Sequence, residues 1–418
     1  MEHEIGKKVR RRLAVLSVSL IVVITGVFFV ARMNPFGQRV GPPPKITSPT
    51  TSTGPNVGTP VQSSSNLPPS SSIFNVVNYG ADPTGQHDST VAIQNAILAA
   101  EAQPGSEVYF PPGRFILDQR SYKLYTLVID KPIRVVGSGI GQTVIVNEVG
   151  QKTPGVTLSR DMFAIEVAPG QQVGGGSGTV ITNMTLDSAT YDAGTDIMDF
   201  ANHTTLSNLQ VLAAKSTNAY NYNSFGIRVI AICNPNTVSY IYRVDNVIDN
   251  VTIVGQGYAG TTELDLSCQV GTTATNINIK GNGIDIFYCH DDNVNNANLV
   301  GGTDGSTHYY TWVITGSYNI NLSNITTNGI GGVIAPDVTL VSHNINVNGE
   351  TMLDKASSIY IGDSRNVTIS NSDLGGIAVL PKYEVNGLDV KNTTYSTVQC
   401  KPSVLISGLA GLRCPSVG

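Results

Sequence analysis

Asn276-Ile-Asn-Ile279 and Asn296-Ala-Asn-Leu299 repeat one figure twenty positions apart, an Asn followed by residues that alternate apolar and polar. The figure recurs at Asn183, Asn208, Asn250, Asn319, Asn344, Asn366 and Asn386, with gaps in the low twenties apart from one of 42 that contains the insertion around Pro235. Period-two alternation marks strands, and a fixed repeat of this length marks a solenoid. Leucine-rich repeats share the period, but the Leu-rich consensus and helical backs they need are missing. A parallel β-helix satisfies the pattern, with inward Val, Ile and Leu filling the core. Asn stands at the turn because it tolerates the left-handed conformation and its amide can bond the Asn of the next coil. Residues 130 to 400 hold roughly ten such coils at this period.

Composition agrees. Of 418 residues 43 are Gly and 21 Pro, charged residues make up 13% and Trp occurs once, which suits an all-β, turn-rich chain and excludes a helical bundle. The net charge of −5 conceals an asymmetry, since residues 1–39 carry seven Lys or Arg against two Asp or Glu. The acidic remainder excludes a nucleic-acid-binding body.

Lys7, Lys8, Arg10, Arg11 and Arg12 precede the uncharged 18-residue run Leu13–Val30. Its length suits a membrane-spanning helix over 13–31, and it lacks the small-x-small site of a cleaved signal peptide. The basic cluster places residues 1–12 in the cytoplasm and all that follows Arg32 outside. Residues 32–72, rich in Pro, Ser and Thr, read as a disordered stalk, which leaves 73–418 as the folded body of a single-pass membrane protein.

A solenoid's open ends need caps. Asp88 is a candidate N-cap for a helix over 88–102, in which Ile93, Ala96, Ile97 and Ala100 form one stripe. Cys400 and Cys414 are placed to close a C-terminal plug. Cys233, Cys268 and Cys289 fall at similar offsets in successive repeats, which implies one disulfide and one buried thiol. The glycosylation-type triplets at Asn183, Asn202, Asn250, Asn321, Asn324, Asn366 and Asn392 coincide largely with the strand repeat and are read as structural.

The opening Phe74-Asn-Val-Val-Asn-Tyr-Gly-Ala-Asp-Pro-Thr-Gly85, followed by Asp88–Ile97 and Val108-Tyr-Phe-Pro-Pro-Gly-Arg-Phe-Ile-Leu117, resembles the pectate-lyase-like right-handed β-helix superfamily. That group includes enzymes related to rhamnogalacturonases and polygalacturonases, and phage tailspikes. Gly137-Ser-Gly-Ile-Gly141 continues the likeness as a tight turn, since no helix follows it to make a phosphate loop. The resemblance implies a right-handed, single-chain parallel β-helix with a short N-terminal capping helix, and a polysaccharide bound along one exposed sheet. The Asn-Thr-Asp, Gly-Asp-Asp, Gly-His-Gly and Arg-Ile-Lys signatures of polygalacturonases are absent, as is the Arg-x-Pro-x-x-Arg of pectate lyases, so no catalytic residue transfers.

Candidate chemistry is therefore sought in outward columns. Aligning the strands by their Gly-apolar-x-apolar pattern puts Arg228, Asp265 and Asp285 in one column, extended a coil earlier by Asp196. Carboxylates on adjacent coils repel, so that one is kept protonated beside an ionised neighbour, as glycosidic cleavage requires. A lyase reading remains open alongside it, with Arg228 assisting proton abstraction beside a uronate and the carboxylates holding Ca²⁺. No metal site with paired ligand spacing is present, and no cofactor is required by the hydrolase reading. His290, in the turn His290-Asp291-Asp292, and the aromatic residues Tyr222, Tyr309 and Tyr310 are candidate sugar contacts, whereas alternation turns Trp312 inward. Asp187, Asp192 and Asp199 are further loop acids. The sequence thus points to a membrane-anchored extracytoplasmic β-helix that cleaves an extracellular polysaccharide as hydrolase or lyase, a uronate-containing chain being one candidate substrate. The competing class is a non-catalytic glycan-binding or structural surface module.

Overall fold

The structure, a computed structural model, describes residues 72–418 apart from 104, 119–124, 149–160, 166–174, 190–193, 214–223, 232, 235–238, 241, 256–260, 302–309, 337–339, 402–404 and 415–418. The cytoplasmic tail, apolar segment and stalk expected over residues 1–71 lie outside the described residues. Among the described residues no helix is long and apolar enough to cross a membrane.

Strands recur because the alternation leaves them one face to bury. In Thr273–Gly281, Ala274, Ile277 and Ile279 are buried while Asn276, Asn278 and Lys280 are exposed. Among the described residues a sheet of twenty-eight strands is assembled by parallel pairing of strands with their counterparts one winding later. From Val136 to Lys391 ten successive residues, one per coil, stand level, which matches the coil number read from the repeat. Level neighbours lie about 4.8 Å apart along the stack. The long gap after Asn208 holds an antiparallel pair, Cys233–Asn234 with Ser239–Tyr240, beside the parallel stack.

Inward residues form one continuous core, and each fully buried Ile, Leu or Val contributes about 1.5–3 kcal/mol relative to an exposed one. Trp312, 1% exposed, is turned inward as the alternation requires. The next coil makes room for its indole with Gly332, where a Cβ would lie 1.9 Å from the ring.

Asn residues hold the corners, but in two ladders rather than the single series of the repeat. Asn208, Asn250, Asn276, Asn296 and Asn324 follow one another on one corner, all with φ between +50° and +55°. Asn319, Asn344 and Asn366 form a second ladder that begins at Asp291. The true successor of Asn296 is Asn324, so the step from Asn296 to Asn319 in the sequence crosses between corners. Asn386 belongs to neither ladder: it stands level with Arg365, and Gly387 takes the left-handed position. Within the ladders amides donate to the ladder oxygen one coil back, as from Asn296 Nδ2 to Asn276 Oδ1 at 2.6 Å and from Asn319 Nδ2 to Asp291 Oδ1 at 2.8 Å, while Asn276 and Asn324 turn instead to Asp249 and Asn295, each at 2.9 Å.

The capping helix runs Thr90–Glu101, with Ile93, Ala96, Ile97 and Ala100 fully buried against the first coils. Its N-cap is Ser89 rather than Asp88; Asp88 nonetheless accepts the Thr90 N–H at 3.0 Å from one position further out. At the other end Cys400 and Cys414 are bonded, and within the loop they close Leu412 is buried.

Candidate active site

Pairing places Arg228 opposite Asp265 and Asp265 opposite Asp285 on three consecutive coils, as the strand alignment requires. Their neighbours Ile227, Leu264 and Ile284 point into the core, which forces the three polar side chains to the outer face. Arg228 Nε lies 2.7 Å from Asp265 Oδ2, and its guanidinium rests 4.5 Å from the centroid of the Phe225 ring. Ser267 donates its hydroxyl to Asp265 Oδ1 at 2.6 Å, and Thr262 donates to Asp285 Oδ2 at 2.7 Å. Both carboxylates are thus oriented by a hydroxyl, and one of them also by a cation.

Burial raises both acids above the ordinary Asp range, but unequally. For Asp265 the loss of water is opposed by the Arg228 charge and by the Ser267 bond. For Asp285, which keeps part of its surface open, burial and then the neighbouring Asp265 charge push the carboxyl up to about 7, with Thr262 and Arg228 pulling the other way. The Arg228 charge thus opposes protonation of Asp265 while the Asp265 charge favours protonation of Asp285, a divergence of the two acids in the direction that acid–base chemistry at a single bond needs.

Asp196 is not part of this row. Thr195 pairs with Phe225 and Ile197 with Ile227, so Asp196 stands level with Gly226 and the residue opposite Arg228 is Met198. The chain turns a corner there: a Cβ on Gly226 would meet the core side chains of Ile253 and Val211. Asp196 is 0% exposed, accepts the Ser188 hydroxyl at 2.6 Å, and is pushed by burial well above the ordinary Asp range. Sequence alignment of Gly194-Thr-Asp196 with Gly283-Ile-Asp285 missed this two-residue offset, since both segments read Gly-x-Asp. The same corner holds Glu263, level with Gly226, whose Oε2 accepts the N–H of Gly283 at 2.9 Å. A Cβ on Gly281 would lie 2.1 Å from Glu263 Oε1, so the glycine clears the space that the buried carboxyl fills. Burial pushes Glu263 up to about 8.

The remaining candidates divide. Tyr310 is half-buried on the outer face, its ring edge-on to Tyr360 at 5.4 Å, and Tyr360 occupies the carboxylate row three coils beyond Asp285. Tyr222 and Tyr309 lie outside the described residues, as does Asp192. His290 belongs to a different outward column: its ring stacks on Tyr318 at 4.6 Å, Tyr318 stacks on His343 at 4.9 Å, and Tyr242 meets His290 edge-on at 4.7 Å. The ring faces of this ladder are spent on one another, which removes His290 as a stacking platform, and its Nδ1 is 2.8 Å from Asp291 Oδ2. Asp292 points inward, accepts the Thr272 N–H at 2.8 Å, and is raised by burial to about 7. Asp199 is likewise buried, with its carboxylate accepting the Ala201 N–H; Asp187 lies 3.9 Å from Arg114. Cys268 is disulfide-bonded and Cys289 is a buried thiol, but the two are not level: Cys289 stacks against Gln269, whose N–H points at its sulfur from 3.3 Å.

Three contributors escaped the sequence reading. Ser267, two residues after Asp265 on the same strand face, was reachable by period-two counting; Thr262 and Phe225 lie across the corner, where the alternation breaks. Among the described residues no group of three or more His, Cys, Asp or Glu is placed to hold a metal ion.

The windings, caps and outward polar row define a parallel β-helix protein. Residues 73–263 match the family described as rhamnogalacturonase A/epimerase, pectate lyase-like, and that segment carries the likeness to the pectate-lyase-like β-helix superfamily. Among curated proteins, mannuronan C5-epimerase AlgE6 of Azotobacter vinelandii is 38% identical over 89 residues, 21% of this chain and 10% of its own. Alginate lyase 7 of the same organism is 40% identical over 75 residues, 17% of this chain and 8% of its own. The chain thus spans a tenth or less of the length of these relatives. Among solved structures, the catalytic unit of a thermostable GH87 alpha-1,3-glucanase from Streptomyces thermodiastaticus aligns over 82% of this chain and 69% of that one, at 13% identity and a TM-score of 0.48. The surface adhesin PfbA of Streptococcus pneumoniae aligns over 79% and 91%, at 14% identity and a TM-score of 0.45.

Proposed function

We propose that the protein is a membrane-anchored, extracytoplasmic enzyme that cleaves a polysaccharide, with Asp285 as the general acid and Asp265 as the ionised partner. The observation that carries this reading is the Arg228–Asp265–Asp285 row, in which Arg228 pairs with one carboxyl and opposes its protonation while the neighbouring acid is pushed up to about 7. In such a row Asp285 gives its proton to the glycosidic oxygen as the bond breaks, and Asp265 stabilises the positive charge that develops on the sugar, attacking it or activating water. Arg228 is engaged by Asp265 and rests on Phe225, so it is not free to neutralise a uronate carboxylate, which favours hydrolysis over elimination. The local likeness to a mannuronan epimerase and an alginate lyase supports a polysaccharide substrate. The apolar run and basic flank of residues 7–30 support the anchor.

The non-catalytic module is the second reading, favoured by one feature: the row continues into Val313 and Val333, and Asp265 is only 3% exposed. Incubation of the full-length chain with a panel of polysaccharides separates the readings. New reducing ends without absorbance from unsaturated products support hydrolysis. Unsaturated products that vanish on chelation would indicate a Ca²⁺-assisted lyase, and retained binding with neither product would establish the module.

A further inference from the structure

On the same coils as the carboxylates, but around three left-handed corners at Tyr288, Asp291 and Asn296, the surface folds into an open groove of about 250 Å³. Its polar wall is Asn276, Asn278, Asn296, Asn298, Asn324 and Thr326, and no charged or aromatic side chain lines it. The groove exists because Asn276, Asn296 and Asn324 take the left-handed conformation and bend each coil inward at the same point.

Hydrogen bonds within the coils leave part of this wall unused. Asn298 Nδ2 donates to Asn278 Oδ1 at 3.0 Å, and Asn324 Nδ2 donates to Asn295 Oδ1 at 2.9 Å. Within the described residues Asn278 Nδ2, Asn298 Oδ1 and the Thr326 hydroxyl make no hydrogen bond. Successive levels thus offer donor and acceptor together, repeated about every 4.8 Å along the stack. A ligand that uses such a wall must itself be repetitive, uncharged and dense in paired donors and acceptors. A chain of neutral sugars, each ring presenting vicinal hydroxyls, has that chemistry; the apolar lining residues Ile277 and Ala297 are buried and offer an apolar partner little surface, and Lys280, two residues beyond Asn278 on the same face, lies outside the lining.

We propose that this groove is a second glycan-contact surface that holds a neutral oligosaccharide along the stacking axis, apart from the carboxylate row. It holds substrate or a neighbouring neutral chain against the solenoid and does not depend on the reaction assigned to Asp265 and Asp285. The test uses the full-length chain in mild detergent, immobilised, with barley β-glucan, dextran and galactomannan as neutral probes and alginate and polygalacturonate as charged ones. At least one neutral probe binds, and Asn278→Ala with Asn298→Ala weakens that binding roughly tenfold with an unchanged melting midpoint. Asp285→Asn leaves it intact. The proposal is overturned if no neutral probe binds, if the double variant binds like the parent, or if Asp285→Asn abolishes the same binding, which would place the glycan on the carboxylate row.

Discussion

The indole Nε1 of Trp312 donates to Glu350 Oε1 across 3.2 Å, linking a core ring to a carboxyl that is itself 0% exposed. Thr327 adds a second donor at 3.4 Å, yet burial still pushes Glu350 up to about 7. Asp199 and Asp292 are raised to about 7 and Glu263 to about 8, for the same reason. A carboxyl whose folded pKa lies above its unfolded value favours the fold fully at pH below the unfolded value, near 4, and the advantage is lost as pH rises through the folded value. The melting midpoint should therefore fall between pH 6 and pH 8.5. In Glu350→Gln the indole keeps an acceptor and nothing is left to ionise, so this variant should lose less of its midpoint over that interval. An unchanged slope would show that Glu350 does not enter the linkage.

Asn319 sits inside the second ladder, donating to Asp291 and accepting from Asn344, with φ at +54°. Asn319→Gly keeps the backbone conformation and loses the two amide bonds, costing about 1 kcal/mol because both are exposed. Asn319→Ala loses the same bonds and adds the left-handed penalty, for about 1 kcal/mol more. Urea unfolding distinguishes them. Equal destabilisation would mean that the amide ladder, and not the conformation, keeps Asn at these corners.

The Cys400–Cys414 bond closes the last coil over Val390, whose N–H meets Ala410 O at 2.8 Å. With a sequence separation of 14, the loop-closure effect amounts to about 3 kcal/mol. The double variant Cys400→Ser, Cys414→Ser should leave the central coils intact and raise amide exchange at Leu388 and Val390. Equal gains in exchange at Ile277 would show that the stack melts as one unit and the loop is no local cap.

The fold was legible because every coil places the same residue types in the same way, with Ile277 and Ile279 inward and Asn276 at the corner. Arg228, Asp265 and Asp285 were legible because period-two counting holds along their strands. It fails at the corner before each strand, where two successive residues turn inward, and there Asp196 and Glu263 were misplaced or unseen. Two corners using one residue type also merged two Asn ladders into one. No periodicity announces a carboxyl such as Glu350, whose burial depends on the indole and hydroxyl that reach it from coils distant in the chain.

If Asp285 acts as the acid and Asp265 as the charged partner, the rate should follow a bell against pH. The descending limb reports deprotonation of Asp285 and should fall near 7, where burial and the Asp265 charge place it. The ascending limb reports ionisation of Asp265. Arg228 lowers both values, so Arg228→Met should move both limbs to higher pH and slow the reaction most on the acidic side, where Asp265 would then stay protonated. Asp285→Asn should cost about 10²–10⁴ in kcat, with the descending limb gone. Ser267→Ala removes a donor to Asp265 alone and should shift only the ascending limb upward. A profile of kcat/KM on the responding polysaccharide reads all three. Limbs that stay in place in Arg228→Met would detach the ion pair from catalysis and leave the row a charge ladder on the outside of a solenoid.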